Sequence, residues 1–168
     1  MNDARLTIGI TTRDRPDALQ HCLRSLAVVT HLSPEVLVFD DASSRPVTDQ
    51  LRGWSVPLDV RVIRDDRAPG YIAGRNRLMR EASAPLVLLL DDDAALREGE
   101  AIERAVRLLD ADPRLAAVAF AQCDREGARW DATIAARTAA EPSARIMNSS
   151  LQTRRYHTGA IDRCPAKN

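Results

Sequence analysis

The stretch that decides the fold is Leu86-Val87-Leu88-Leu89-Leu90-Asp91-Asp92-Asp93. Five consecutive apolar residues after Pro85 predict a strand that is buried on both faces, as in a parallel sheet. Three aspartates follow at the carboxyl end of this strand, where an open α/β sheet binds its ligands. Adjacent carboxylates repel one another unless a cation or hydrogen-bond donors neutralise them. The triplet is therefore a candidate site for a hard cation.

The segments around this strand predict alternating strands and helices. A second buried strand is expected over residues 36–39, a strand of alternating polar and apolar residues over 59–63, and further strands over 6–11 and 115–121. Helices are expected after an N-cap at Asp14, where Leu19, Cys22 and Leu23 have helical spacing, and over residues 47–54, 71–82 and 100–110. This order predicts an α/β fold with a mainly parallel sheet and helices on both of its faces.

The charge balance limits the classes of partner. The 168 residues include 24 basic and 24 acidic side chains, so the formal net charge is zero. A neutral chain gives no general electrostatic case for binding nucleic acid or an anionic membrane. No apolar window has the length of a membrane span, and the first residues lack the apolar core of a signal peptide. We expect a cytoplasmic protein with no nucleic-acid partner and no transmembrane segment. Any membrane association would be peripheral or through a segment not present in this sequence.

The length and the cysteines of the chain predict a single domain whose cysteine thiols are reduced. Cys22, Cys123 and Cys164 are scattered, and their spacing does not match that of zinc ligands, so we expect free thiols. A chain of this length favours a single domain with a substantial core. We expect that domain over residues 1–156, truncated at its C-terminal side. We expect residues 157–168 to be a tail and assign no element to them.

Polar clusters end three of the predicted strands: residues 11–15, Asp40-Asp41 and the aspartate triplet. Because the carboxyl ends of parallel strands share one edge of a sheet, the three clusters can converge on one ligand. Carboxylate oxygens suit Mg²⁺ or Mn²⁺, and Mg²⁺ usually takes one or two carboxylates together with phosphate oxygens. The sequence therefore favours a diphosphate ligand. Several arginines near this edge are either phosphate contacts or, more typically, solvated surface residues: Arg13, Arg15, Arg64, Arg67 and Arg75.

Four segments in order resemble the N-terminal, donor-binding part of a family 2 glycosyltransferase with the GT-A fold. They are ITTRDRP at residues 10–16, VFDDAS at 38–43, GYIAGRN at 70–76 and LLLDDD at 88–93. The resemblance runs from residue 6 to about residue 121. It implies a nucleoside-diphosphate sugar donor, a divalent metal cofactor (Mn²⁺ or Mg²⁺), and inverting transfer of the sugar to an acceptor hydroxyl.

The resemblance also implies which residues contact the nucleotide. Thr11 and Arg13 match positions that line the base and the ribose. Asp41 matches the carboxylate that reads the base, and Asn76 matches a position near the nucleotide. The family's general base follows a later strand, and the sequence does not show which residue here has that role.

The aspartate triplet matches the family's DxD element. The resemblance implies that Asp93 is the main metal ligand. Asp91 and Asp92 are expected to contact the ribose, or the metal through water, and Asp91 is also a candidate metal ligand.

Two other functions remain open on the sequence. A chain without its general base would be a catalytically inactive fragment that binds a nucleotide sugar. Residues 36–42 and Leu90-Asp91 also resemble the first strand and the phosphoacceptor strand of a receiver-like signalling module. Such a module needs a lysine after a later strand, whereas the only lysine of this chain is Lys167.

Overall fold

The computed structural model describes residues 4–120 and the backbone of residues 145–148. Within these residues the strands are β1 (Leu6–Thr12), β2 (Glu35–Asp40), β3 (Val60–Arg64), β4 (Leu86–Asp91), β5 (Ala117–Ala119) and β6 (Arg145–Asn148). They form one sheet in the order β3-β2-β1-β4-β6-β5. All neighbouring strands in it run parallel. The predicted parallel α/β sheet is confirmed.

The helices between these strands are α1 (Pro16–Ser25), α2 (Val47–Leu51), α3 (Tyr71–Glu81) and α4 (Glu100–Ala111). A 3-10 helix over Leu26–Leu32 continues α1. The expected elements are present, but α2 and β5 are shorter than predicted and β6 was not predicted. In the described part of the chain, no helix has the length and apolar character needed to cross a membrane.

Helices pack on both faces of the sheet. On one face, alternate residues of β1 such as Ile8 and Ile10 join Leu23 of α1 and Leu109 of α4 in the main core. On the other face, Leu78 of α3 packs with residues of β2 in a smaller cluster. Both clusters are almost fully excluded from solvent, and their burial is the main source of stability for the sheet.

Helix α3 lies unusually close to the sheet at Gly74. A Cβ atom built at this position would lie 2.5 Å from Cδ1 of Phe39 in β2. Since real Cβ atoms do not approach another heavy atom that closely, only glycine lets the helix backbone rest on the ring. This contact fixes the start of α3 next to the carboxyl ends of β1 and β2.

The register places the three polar strand ends at one level. Thr12 of β1 is opposite Asp40 of β2, and Thr11 is opposite Asp91 of β4. Residues 13–15, 41–43 and 92–93 therefore leave the sheet side by side. The expectation that the three clusters meet at one edge is confirmed.

The start of α1 differs from the prediction. The helix begins at Pro16, its N-cap residue is Arg15, and no side chain caps it. Asp14 precedes the cap with a positive φ of 52°. Its carboxylate accepts hydrogen bonds from the backbone N–H and the hydroxyl of Ser44, at 2.6 and 2.7 Å. The N-cap prediction is wrong, because Asp14 joins the loop after β1 to the loop after β2 instead.

The strand order contradicts the receiver-like alternative. In that alternative β2 and β4 are the first and third strands, which are neighbours in the 2-1-3-4-5 order of such folds. Here β1 lies between β2 and β4.

Some predictions concern parts of the chain outside the described residues. These are the domain end at residue 156, the tail at residues 157–168, and the cysteines Cys123 and Cys164.

Candidate functional site

The first aspartate after β2 supports the site from below. Asp40 is completely buried, and its carboxylate accepts hydrogen bonds from the backbone N–H groups of Ser43 and Val47, at 2.9 and 3.1 Å. The guanidinium of Arg64 donates a third bond at 2.6 Å. Burial alone would raise the pKa of Asp40, but these hydrogen bonds outweigh it and hold the pKa below its usual value. Asp40 thus fixes the loop that carries Asp41.

Asp41 lies on the site side of the same loop. Its side chain accepts a hydrogen bond from the backbone N–H of Gly70 at 3.0 Å, and the residue is 7% exposed. Gly70 has a φ of 87°, which glycine adopts without strain, and it immediately precedes α3. The bond therefore ties the β2 end to the start of α3 and holds the Asp41 carboxylate at the edge.

Asp92 is the buried member of the triplet. The hydroxyl of Thr12 donates to one carboxylate oxygen at 2.7 Å, and Nη1 of Arg15 donates to the other at 2.9 Å. Burial raises the pKa of Asp92, and these two donors do not fully compensate for it. Each of the two oxygens thus accepts a hydrogen bond from a protein donor, and the Asp92 side chain is 6% exposed.

Asp93 is the exposed member of the triplet. Nη2 of Arg15 donates to it at 2.9 Å, and the Asp93 side chain is 55% exposed. A single guanidinium therefore bridges a buried and an exposed carboxylate. The hydrogen bond to Asp93 and the charge of Asp92 raise the pKa of Arg15.

Asp91 ends β4 next to α3. Its carboxylate forms an ion pair with the guanidinium of Arg75, which is mostly buried. The same guanidinium lies 5.3 Å from the ring centroid of Tyr71, within the range of a cation–π contact. Arg75 thus links the exposed Tyr71 ring, one turn earlier in α3, to the triplet.

The other predicted nucleotide contacts are distributed unevenly. Thr11 is in β1, opposite Asp91, and is 8% exposed, while Arg13 is exposed in the loop that follows. Asn76 is exposed on α3, about 200° around the helix from the buried Gly74. The structure therefore brings Thr11 and Arg13 to the edge with the aspartates, but places Asn76 on the outer surface of α3.

Three of the arginines near the edge bond aspartates at strand ends: Arg15, Arg64 and Arg75. Arg15 and Arg64 are exposed residues, as expected of surface arginines, whereas the side chain of Arg75 is only 15% exposed. Arg67 pairs with Asp65 and is 87% exposed at its side chain, as expected of a surface residue. One feature of the sequence could have indicated the bond from Arg15 to the triplet. Arg15 follows β1 directly, and β1 pairs with β4, the strand that ends in the triplet.

Two carboxylates at this edge are candidate ligands for a divalent cation. Within residues 4–120, no group of three or more His, Cys, Asp or Glu side chains is arranged to hold a metal ion by itself. Mg²⁺ commonly takes one or two carboxylates and completes its shell with phosphate oxygens and water. Asp93 and Asp91, with side chains 55% and 34% exposed, are the carboxylates of the triplet that a ligand can reach.

Comparison with known proteins supports the predicted family. The sequence model of glycosyl transferase family 2 matches residues 7–166, nearly the whole chain. A protein of Bacillus subtilis (strain 168), described as the uncharacterized glycosyltransferase YwdF, is 29% identical over 108 residues. The match covers 64% of this chain and 40% of YwdF, so the chain spans less than half of that relative.

Solved structures show the same fold. The crystal structure of S. aureus TarS 1-349 matches with a TM-score of 0.57 and 20% identity, over 72% of this chain and 36% of TarS 1-349. The structure of that fragment in complex with UDP-GlcNAc matches with a TM-score of 0.58, over 72% of this chain and 35% of the fragment, again at 20% identity. The likeness shows that the sheet and helices described here form a GT-A-like fold.

Proposed function

The chain belongs to glycosyl transferase family 2, and on that premise we propose that it binds a nucleoside-diphosphate sugar at the carboxyl edge of β1, β2 and β4. The observation that carries the proposal is the level register of the three strand ends, which gathers Asp41, Asp91 and Asp93 on one edge. The likeness to a structure in complex with UDP-GlcNAc supports a donor of this class.

The base and ribose belong at the β1–β2 side of the edge. There Asp41 is held by Gly70 and offers its second oxygen to N–H groups of a base. Thr11 lines the floor beside it, and the flexible guanidinium of Arg13 can stack on a base from the loop above. Asn76 contributes only if the nucleotide extends over the outer surface of α3.

The diphosphate belongs at the triplet. Asp93 would hold Mn²⁺ or Mg²⁺, with Asp91 as the second carboxylate, and Arg75 keeps Asp91 oriented. A bound divalent cation neutralises negative charge that develops on the departing diphosphate. Asp92 keeps its internal hydrogen bonds and orients its neighbours, and we place it outside direct contact with the donor.

The transfer we propose is inverting. An acceptor hydroxyl attacks the anomeric carbon from the side opposite the diphosphate, and the bond from that carbon to the diphosphate oxygen breaks. A carboxylate removes the hydroxyl proton as general base. An assay for donor hydrolysis and sugar transfer distinguishes this enzyme from the alternative, a domain that binds the donor without transferring the sugar.

We also propose that the protein is cytoplasmic, in accord with the buried free thiol of Cys22.

Titration calorimetry with UDP, dTDP and GDP, each with and without Mn²⁺, tests the proposal. We expect Mn²⁺ to tighten the binding of one of them, and Asp93→Ala to weaken the binding measured with Mn²⁺ about tenfold or more, a loss of ~1.4 kcal/mol or more. Asp110→Ala is the matched control, because Asp110 is a similarly exposed aspartate paired with an arginine, Arg5, on another part of the surface. Unchanged Mn²⁺-dependent binding in Asp93→Ala would contradict the assignment.

A further inference from the structure

We infer that Arg15 is the internal counter-cation of the triplet, which occupies Asp93 in the donor-free protein and must release it before a metal and diphosphate can bind. The inference rests on the proposed function and deepens it. It assigns to Arg15 a part in setting the metal affinity of the site and a subsequent contact with the diphosphate.

The bridge made by Arg15 has two unequal halves. Its Nη1 bonds Asp92, whose side chain is 6% exposed, while its Nη2 bonds Asp93, whose side chain is 55% exposed. Leaving a buried carboxylate without its partner is strongly unfavourable. A pair exposed at both ends contributes little. The half that yields to a competing ligand is therefore the bond to Asp93.

The local charges favour such an exchange. The triplet carries three negative charges and Arg15 and Arg75 supply two positive ones, which leaves one net negative charge. A divalent cation at Asp93 would meet the positive charge of Arg15 unless the guanidinium moved away from that carboxylate. The incoming diphosphate supplies new acceptors, and the planar fork of arginine matches phosphate oxygens well. Arg15 can keep its bond to Asp92 while it exchanges Asp93 for a phosphate.

This exchange predicts opposite effects on two ligands. Without Arg15, Mn²⁺ alone meets no competing cation at Asp93 and binds more tightly. UDP alone, in the presence of a chelator, loses a positively charged partner and binds more weakly. A residue that only held the loop in shape would weaken the binding of both ligands when it is lost.

The test measures both ligands with Arg15→Gln. Electron paramagnetic resonance of free Mn²⁺ gives the affinity for the metal alone, and calorimetry in EDTA gives the affinity for UDP alone. We expect Mn²⁺ to bind about two- to fivefold more tightly, the range that an exposed ion pair supplies. We expect UDP to bind about tenfold more weakly, as for loss of a charged hydrogen bond. Arg5→Gln is the matched control, because it breaks an exposed arginine–aspartate pair away from the triplet.

Arg15→Met provides a second variant if the glutamine variant does not fold. Its side chain is long but carries no charge, so no cation competes with the metal at Asp93 and we again expect tighter Mn²⁺ binding. Weaker or unchanged Mn²⁺ binding in a folded Arg15 variant would overturn the inference, while loss of Mn²⁺ binding in Asp93→Ala would leave the proposed function intact. If Asp93→Ala binds Mn²⁺ and UDP like the wild type, the proposed function fails, and this inference fails with it.

Discussion

Two strand ends of the sheet carry adjacent aspartates, and each of them buries one aspartate in a different way. At the end of β2, two backbone N–H groups and Arg64 hold Asp40. After β4, a hydroxyl and the half-exposed Arg15 hold Asp92, and no backbone N–H group of residues 4–120 bonds its carboxylate. Two of the three donors at the β2 end are backbone N–H groups, whereas both donors at the β4 end are side chains.

The pKa shifts show the consequence of this difference. Burial favours the protonated form at both sites. At Asp40 the hydrogen bonds outweigh burial and the pKa is lowered. At Asp92 burial outweighs the bonds from Thr12 and Arg15, the like charges of the neighbouring aspartates add to it, and the pKa is raised. Asp40 is therefore a stable anchor, that is, a carboxylate whose charge is fully compensated by its hydrogen bonds. The negative charge of the triplet is not fully compensated, so a further positive charge would stabilise it.

The largest effect is expected for Asp40→Asn. Ser43 bonds one carboxylate oxygen, and Val47 and Arg64 bond the other. An amide keeps the donors of only one oxygen, and its NH₂ group then faces the donors of the other. We expect the free energy of unfolding to fall by about 3 kcal/mol, as for a broken buried charge pair. Urea unfolding measures it. Asp41→Asn is the control, since its remaining oxygen can still accept from Gly70; an equal loss in both variants would contradict the anchor role of Asp40.

A smaller loss of folding stability is expected for Asp92→Asn. The amide oxygen can keep one of the two donors, and removal of the charge relieves repulsion from Asp91 and Asp93. We expect unfolding to become easier by about 1 kcal/mol, the size of one hydrogen bond. The same urea experiment in metal-free buffer measures it. A loss as large as that of Asp40→Asn would remove the distinction between the two strand ends.

The two variants should also differ in the sign of their pH dependence. Asp40 has a lowered folded-state pKa, so its contribution to stability is present above the ordinary aspartate pKa of about 3.9 and is lost as the pH falls through the folded value. Asp92 has a raised folded-state pKa, so its contribution is largest below about 3.9 and is lost as the pH rises through the folded value. Urea unfolding of wild type and both variants at a series of pH values tests this; differences that change in the same direction would contradict it.

The smallest effect on stability concerns the backbone of the loop after β2, compared with that of the loop after β4. Ala42, after Asp41, has a φ of 58°, whereas the loop at residues 92–99 contains no positive φ. A left-handed conformation costs a residue with a Cβ atom more than it costs glycine. Ala42→Gly relieves this cost but also raises the conformational entropy of the unfolded chain. We expect a net rise in the free energy of unfolding of about 0.5 kcal/mol. Ala94→Gly, in the loop after β4, should instead lower it, and stabilisation by both would show that the strain is not specific to the β2 end.

Much of this fold was predictable from periodicity. The apolar runs of β1, β2 and β4 are buried almost throughout, as central parallel strands are, so their sequences indicate both strand type and position. The order of these strands then predicts a common edge. Strand β6 was missed because its four residues, RIMN, give no clear period and it joins the sheet between β4 and β5 through distant pairing.

The site was predictable only in its outline. The positions of Asp41, Asp91 and Asp93 follow from strand ends and from the family resemblance. The burial of Asp92 and the bridge from Arg15 depend on which strands are neighbours and on side-chain reach, and a sequence does not give either. The role of Asp14 was missed for the same reason, because its partner Ser44 lies 30 positions away on another loop.

Anomalous diffraction from crystals grown with Mn²⁺ and UDP tests the central claim most directly. The account predicts a manganese peak at the Asp93 carboxylate, next to the diphosphate, with Arg15 still bonded to Asp92 but no longer to Asp93. Manganese bound away from the triplet, or UDP bound with its diphosphate at another edge of the sheet, would contradict it.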